Sequence, residues 1–201
     1  MSATESIEIG AARRFASAAS DLEDRVRRAV VEVRNDGGAG AGIVWGGSGL
    51  VVTNAHCAPR DARLQLVQGE RTHPARTIAY HPRHDLALLA SAAVRGPLLD
   101  IRSASTLRVG ELVFAYGHPL GVSEALAMGV IHAVARDERT GGARFVVADV
   151  RLAPGNSGGP LVDAEGRLVG INSMVVNGLG VAIPADTVAR FIDRATASRV
   201  A

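Results

Sequence analysis

Ser157 lies in Ala153-Pro154-Gly155-Asn156-Ser157-Gly158-Gly159-Pro160, a turn of small residues followed by the apolar pair Leu161-Val162. A serine hydroxyl is a weak nucleophile near neutral pH and needs an adjacent base. The glycines permit backbone angles closed to other residues and leave space for an approaching substrate. Amide N–H groups converging in such a turn can stabilise an oxyanion. Taken alone, the same turn fits an ordinary surface loop.

A base is available at His56, in Thr53-Asn54-Ala55-His56-Cys57 directly after Leu50-Val51-Val52. A histidine at a strand end sits on a rigid support and can still face a cleft. Its imidazole needs a carboxylate to fix the tautomer and stabilise the cation that forms. Asp85 offers one, at the entrance to Leu86-Ala87-Leu88-Leu89. Singly, His56 reads as a structural or exposed histidine and Asp85 as the cap of a local turn. Together, His56, Asp85 and Ser157 form a candidate triad whose rate rises with pH around the histidine reference value of about 6.5.

Other titratable residues are weaker. His81-Pro82-Arg83-His84-Asp85 lacks a third and fourth ligand at a known spacing, so neither metal nor cofactor is expected. Cys57 is the single cysteine, which excludes an intramolecular disulfide and reads as a buried, inert thiol.

The elements that must carry these residues are short apolar runs separated by turn signals. They are expected at 43–45, 50–53, 63–67, 76–80, 86–90, 112–116, 128–135, 144–147, 161–163, 168–172 and 180–183, with 43–45 and 50–53 joined as a hairpin through Gly46-Gly47-Ser48-Gly49. This spacing argues for Greek-key barrels, hence an all-β fold. Ile9 to Val33 carries a helical pattern with Phe15, Leu22, Val26, Ala29 and Val30 near one face. Pro184-Ala185-Asp186 opens a second helix with Val188, Phe191 and Ile192 on one side. Pro97 to Val109 divides the strands into two sets. The resulting plan is a helical segment over 1–38, barrels over 39–100 and 101–184, and a helix over 185–201.

Composition agrees: 47% hydrophobic, 21% charged, 23 glycines and few aromatics suit a turn-rich β protein. All 22 basic residues are arginine, but 20 acids nearly balance them and no basic block occurs, which argues against nucleic-acid binding. No apolar run reaches membrane-spanning length, and Met1–Gly10 lacks a secretory pattern. If Met1 is the start, a cytoplasmic location is expected.

Val52–His56, His84–Leu88 and Gly155–Pro160 resemble the three signature segments of trypsin-like serine proteases, above all the bacterial HtrA/Deg branch. Ala115-Tyr116-Gly117-His118-Pro119-Leu120-Gly121, Gly170-Ile171-Asn172-Ser173 and Val181-Ala182-Ile183-Pro184 extend the likeness over about Ala39–Pro184. The resemblance implies two six-stranded Greek-key barrels with a cleft between them, His56 and Asp85 coming from the first and Ser157 from the second. It implies an oxyanion hole at Gly155-Asn156-Ser157, made by the N–H groups of Gly155 and Ser157, and an active-site approach for the His118 loop. Substrate main chain would add as a strand along Asn172-Ser173-Met174, with 175–180 as a pocket wall that its two glycines make mobile.

Arg151, six residues before the serine, takes the place near the floor of the specificity pocket, where HtrA-like relatives have a small residue. Pointing inward it would favour acidic side chains or fill the pocket altogether. Turned outward it restores a preference for small or medium apolar ones, and this is the expectation, because a buried unpaired arginine is costly. The implied partners are extended protein or peptide substrates. HtrA relatives carry PDZ domains after the protease, and a chain ending at Ala201 puts PDZ-mediated sensing in doubt. A homotrimer through the N-terminal segment, where Phe15 is the only aromatic, stands beside a monomer. A catalytically silent, peptide-binding barrel is the alternative reading.

Overall fold

The computed structural model describes residues 3–47, 49–119, 124–138 and 141–197, with side chains from Gly10 onward. Ser48 of the expected hairpin turn, Leu120-Gly121 of the expected loop and 198–201 of the expected C-terminal helix lie outside the described residues. Strands β1 (Val30–Asn35), β2 (Gly38–Val44), β3 (Leu50–Thr53), β4 (Leu64–Gln68), β5 (Arg71–His81) and β6 (Leu86–Ala90) close one barrel in the order β1-β2-β3-β6-β5-β4. Strands β7 (Leu112–Gly117), β8 (Ala125–Arg136), β9 (Ala143–Asp149), β10 (Pro160–Asp163), β11 (Leu168–Val176) and β12 (Leu179–Pro184) close a second in the equivalent order β7-β8-β9-β12-β11-β10. All strand pairs within the barrels are antiparallel. The two-barrel, all-β expectation is borne out.

Burial on both faces explains why the strands read as continuous apolar runs. In β6, Ala87 and Leu89 point into the first barrel with Val31, Val33 and Leu66. Leu86 and Leu88 point the other way, into a cluster between the barrels with Phe114, Tyr116, Val162, Ile171 and Ile183. Val113, Ile131, Val146 and Leu161 fill the second barrel. Each fully buried leucine contributes about 1.5–3 kcal/mol.

Among its described side chains, helix α1 (Ala3–Arg27) brings Leu22 and Val26, one turn apart, into the inter-barrel cluster, and Phe15 stays 49% exposed. Helix α2 (Ala185–Ala197) adds Val188 and Ile192 to the same cluster. Its first turn is tied down by Asp186, which accepts from Ser103 Oγ (3.1 Å) and Ala104 N–H (2.9 Å).

Two expectations need correction. The helix ends at Arg27, and Val30-Val31-Glu32-Val33 opens the first barrel instead of extending the helix to residue 33. Its β-branched residues bury on alternating faces, a strand pattern that overrides the helical periodicity. Residues 175–180 are strand and tight turn in place of the expected loop, and Val175 does line the pocket beside Ser157. Val175 and Val176 continue β11, and Asn177 (φ 51°) and Gly178 (φ 83°) make a tight hairpin turn into β12. Gly180 is a packing glycine: a Cβ there would stand 2.9 Å from Leu152 Cδ1 and Val150 Cγ1.

Candidate active site

His56 is fixed by what surrounds the end of β3. Thr53 Oγ1 donates to Ala41 O (2.7 Å), and Asn54 Nδ2 donates to Asp85 O (3.0 Å). The His56 backbone N–H donates to Asp85 Oδ1 at 3.1 Å, and the ring Nδ1 stands 2.9 Å from both Asp85 oxygens. Asp85 follows a 3-10 turn, Pro82–His84, whose last bond runs from Asp85 N–H to Pro82 O. It adopts the left-handed conformation (φ 52°, ψ 44°), which aspartate tolerates better than most side chains.

Ser173 completes the support. Its Oγ donates to Asp85 Oδ2 at 2.7 Å, and its main-chain O accepts from Ser157 Oγ at 3.2 Å. One residue of β11 therefore touches both the carboxylate and the candidate nucleophile. Burial pushes the Asp85 carboxyl up, but hydrogen bonds from His56 and Ser173 outweigh it and hold the group below its ordinary range. The His56 imidazole is held above its ordinary value, by the hydrogen bond with Asp85 first and a smaller contribution from Cys57, against burial.

The Ser157 turn is closed by Asn156, whose N–H donates to Ala153 O (3.0 Å) and whose Oδ1 accepts from Ala153 N–H (3.1 Å). It is docked on the first barrel through Ala41 N–H to Ser157 O at 2.7 Å. Gly155 (φ 106°) leaves no room for a Cβ, which would collide with the His118 main chain, and its carbonyl accepts from His118 N–H (3.1 Å). Among the described residues, the N–H groups of Gly155 and Ser157 donate to no protein acceptor. Two unengaged amides on either side of Asn156 suit an incoming anionic oxygen.

Gly158 (φ 84°) has no room for a side chain, since a Cβ would collide with Ala41 O and Thr53 Oγ1. Gly158→Ala is expected to destabilise the fold by about 3 kcal/mol or more, combining left-handed strain with overpacking. Urea denaturation tests this; an unshifted midpoint would contradict the packing described.

Beside Ser157 lies a pocket of about 350 Å³ lined by Leu152, Pro154, Asn156, Asn172, Met174 and Val175 among others. Arg151 is exposed and does not line it. Asn172 is buried and braces Pro160 O through Nδ2 (3.0 Å), while Met174 is 45% exposed. His118 sits behind the Gly155 turn, with its Nδ1 accepting from Glu124 N–H (3.3 Å) and burial lowering its pKa. Cys57 is a buried free thiol 3.6 Å from Ser157 O. His81 and His84 stack at 4.3 Å, and no cluster of metal-ligating side chains occurs among the described residues.

The structure pairs His56 with Asp85 and links Asp85 to Ser157 through Ser173, a residue that sequence reasoning assigned to substrate alone. Its bond to Asp85, across 88 residues, left no signal in the sequence beyond the Asn172-Ser173 pair itself. The Asn54 and Thr53 braces were equally silent.

Two Greek-key barrels meeting at such a cleft define the trypsin-like class. Residues 40–171 match the family model of the trypsin-like peptidase domain, and the chain belongs to that family. It is 34% identical over 172 residues to Protease Do-like 1, chloroplastic, of Arabidopsis thaliana, covering 78% of this chain and 39% of that protein. It is 38% identical over 170 residues to Serine protease HTRA2, mitochondrial, of Drosophila pseudoobscura pseudoobscura, covering 80% and 40%. A solved HtrA-type protease with a tripeptide superposes with a TM-score of 0.77 at 26% identity, covering 87% of this chain and 62% of that one. The likeness is thus of HtrA type, and the chain spans about 40% of the length of these curated relatives.

Proposed function

We propose that the chain is a serine endopeptidase that cuts extended protein segments through a Ser157–His56–Asp85 triad. The observation that carries this reading is the Asp85 carboxylate, held by Ser173 and bonded to His56 Nδ1, with Ser173 O taking the Ser157 hydroxyl and the Gly155 and Ser157 N–H groups unengaged. For attack, the Ser157 hydroxyl leaves the Ser173 carbonyl by a change of rotamer and gives its proton to His56 Nε2. Its oxygen bonds to the scissile carbonyl carbon, and the N–H groups of Gly155 and Ser157 take the oxyanion. His56 then protonates the leaving amine, and water hydrolyses the acyl-enzyme. Substrate main chain would pair along β11 from Ser173 and Met174 onward; the expected place for Asn172 in that pairing falls away, because its N–H and carbonyl are already taken by Gly159 O and Gly158 N–H.

The apolar pocket walls and the outward Arg151 favour small or medium apolar side chains before the cut. Cleavage of a peptide library should enrich Val, Ala or Leu at that position. Enrichment of Asp or Glu there would place Arg151 in the pocket and overturn the preference.

A second reading, a barrel that binds peptides without turnover, is favoured by one contact: Ser157 Oγ bonds to Ser173 O in this conformation, rather than to His56. Fluorophosphonate labelling of Ser157 separates the two, since a silent barrel does not react. The pH dependence adds a check. The base must be neutral and Asp85 raises its pKa, so the acid limb of kcat/KM should fall above the reference of about 6.5. A limb at or below that value would mean that the Asp85 contact is not made in solution.

A further inference from the structure

A second cleft, of about 920 Å³, begins at Asp85, Ser173 and Met174 and is lined by Arg83, Arg144, Arg190 and Arg194. It shares Ser173 and Met174 with the pocket beside Ser157, so the two form one track. The guanidinium groups come from separate places: the turn before Asp85, strand β9, and two successive turns of α2. Arg83, Arg144 and Arg190 are exposed; Arg190 donates to Thr187 Oγ1 (3.0 Å) and Arg144 lies over the Phe145 ring at 5.5 Å. Among the lining residues the carboxylates are Asp85, which is engaged by His56 and Ser173, and Asp137. The field is felt locally: the His84 imidazole is held below its ordinary value by burial, then by the positive charges of His81, Arg190 and Arg194.

The main chain beside this cleft is an open edge. β10 pairs with β11 only as far as Ile171, and from Met174 to Val176 the strand partner is β12 alone. Met174, Val175 and Val176 are all about half exposed. An unpaired apolar edge is a template for an added strand. A peptide running antiparallel to β11, like every neighbour in the barrel, arrives at Ser157 with its C-terminal end. The residues lying over Met174 and the cleft therefore precede the scissile bond. Successive side chains of a strand face opposite sides. If the residue before the cut fills the apolar pocket, the second and fourth before it face the arginines.

We propose that this cleft selects carboxylate side chains at the second and fourth residues before the scissile bond, with Arg83, Arg144 and Arg190 as the determinants. The substrate class is then an extended segment with acidic residues followed by an apolar one. The inference rests on the proposed function only for the position of the cut.

The test uses two fluorogenic peptides, identical except for Glu or Gln at those two positions, each with Val before the cut. The Glu peptide should show a kcat/KM about tenfold higher at low salt, falling to about twofold in 0.5 M NaCl, because the arginines are exposed and screened. The double variant Arg144→Gln/Arg190→Gln should bring the ratio close to one. Equal cleavage of both peptides by the wild type overturns the inference and leaves the peptidase reading standing. Binding of the same pair to Ser157→Ala, by fluorescence anisotropy, gives an answer that does not depend on turnover. Tighter binding of the Glu peptide supports the inference even if nothing is cut, and equal binding refutes it.

Discussion

Ser157→Ala is expected to lower kcat/KM on a peptide substrate by about four to six orders of magnitude with the fold intact. The hydroxyl is the only group of the residue that is lost, and its hydrogen bond among the described residues is the 3.2 Å bond to Ser173 O. What docks the turn stays in place: Ala41 N–H still reaches the residue 157 carbonyl, and Asn156 still closes on Ala153. Thermal melts should therefore coincide within a degree or two, while the acyl-enzyme step has no nucleophile. The unengaged amides and the apolar pocket would remain, which is why a small residual rate is expected. A loss of less than a hundredfold would mean that Ser157 is not the attacking group.

Asp85→Asn should cost about four orders of magnitude in kcat, with a much smaller effect on KM. The carboxylate accepts three hydrogen bonds at once, from His56 Nδ1, the His56 N–H and Ser173 Oγ. An amide of the same shape has one acceptor oxygen and an NH2 that cannot accept from Nδ1 or from the serine. The imidazole then loses the partner that fixes its tautomer and stabilises its cation. Asparagine tolerates the left-handed backbone that Asp85 adopts, so the turn into β6 should survive. The acid limb of any residual activity should move down, since the contact that raises the His56 pKa is gone. Steady-state kinetics across pH would read both effects; unchanged kcat with raised KM would reassign Asp85 to substrate binding.

Much of the site was legible because its residues sit in local contexts with their own physics. Ser157 lies among glycines that a close approach requires, and His56 and Asp85 flank runs that become β3 and β6. Strand runs buried on both faces were recognisable from unbroken apolar stretches. Less visible was anything decided between elements. Val30–Val33 fits a helix by periodicity and becomes part of a strand because that strand pairs with both β2 and β4. Ser173 gains its Asp85 contact only when the second barrel meets the first. Arg83, Arg144, Arg190 and Arg194 are unremarkable surface residues in the sequence and become one lining only where the turn before Asp85, β9 and α2 face a common cleft.

The equivalent winding of the two barrels has a further implication. Each half is a closed ring with its own interior, joined through the stretch between β6 and β7. The proposed base and its orienting acid, His56 and Asp85, belong to one ring and the proposed nucleophile, Ser157, to the other. A chain divided in that stretch would yield two inert fragments that together satisfy a logical AND: bond cleavage would report their reunion, making the fold a natural starting point for a split sensor of molecular proximity.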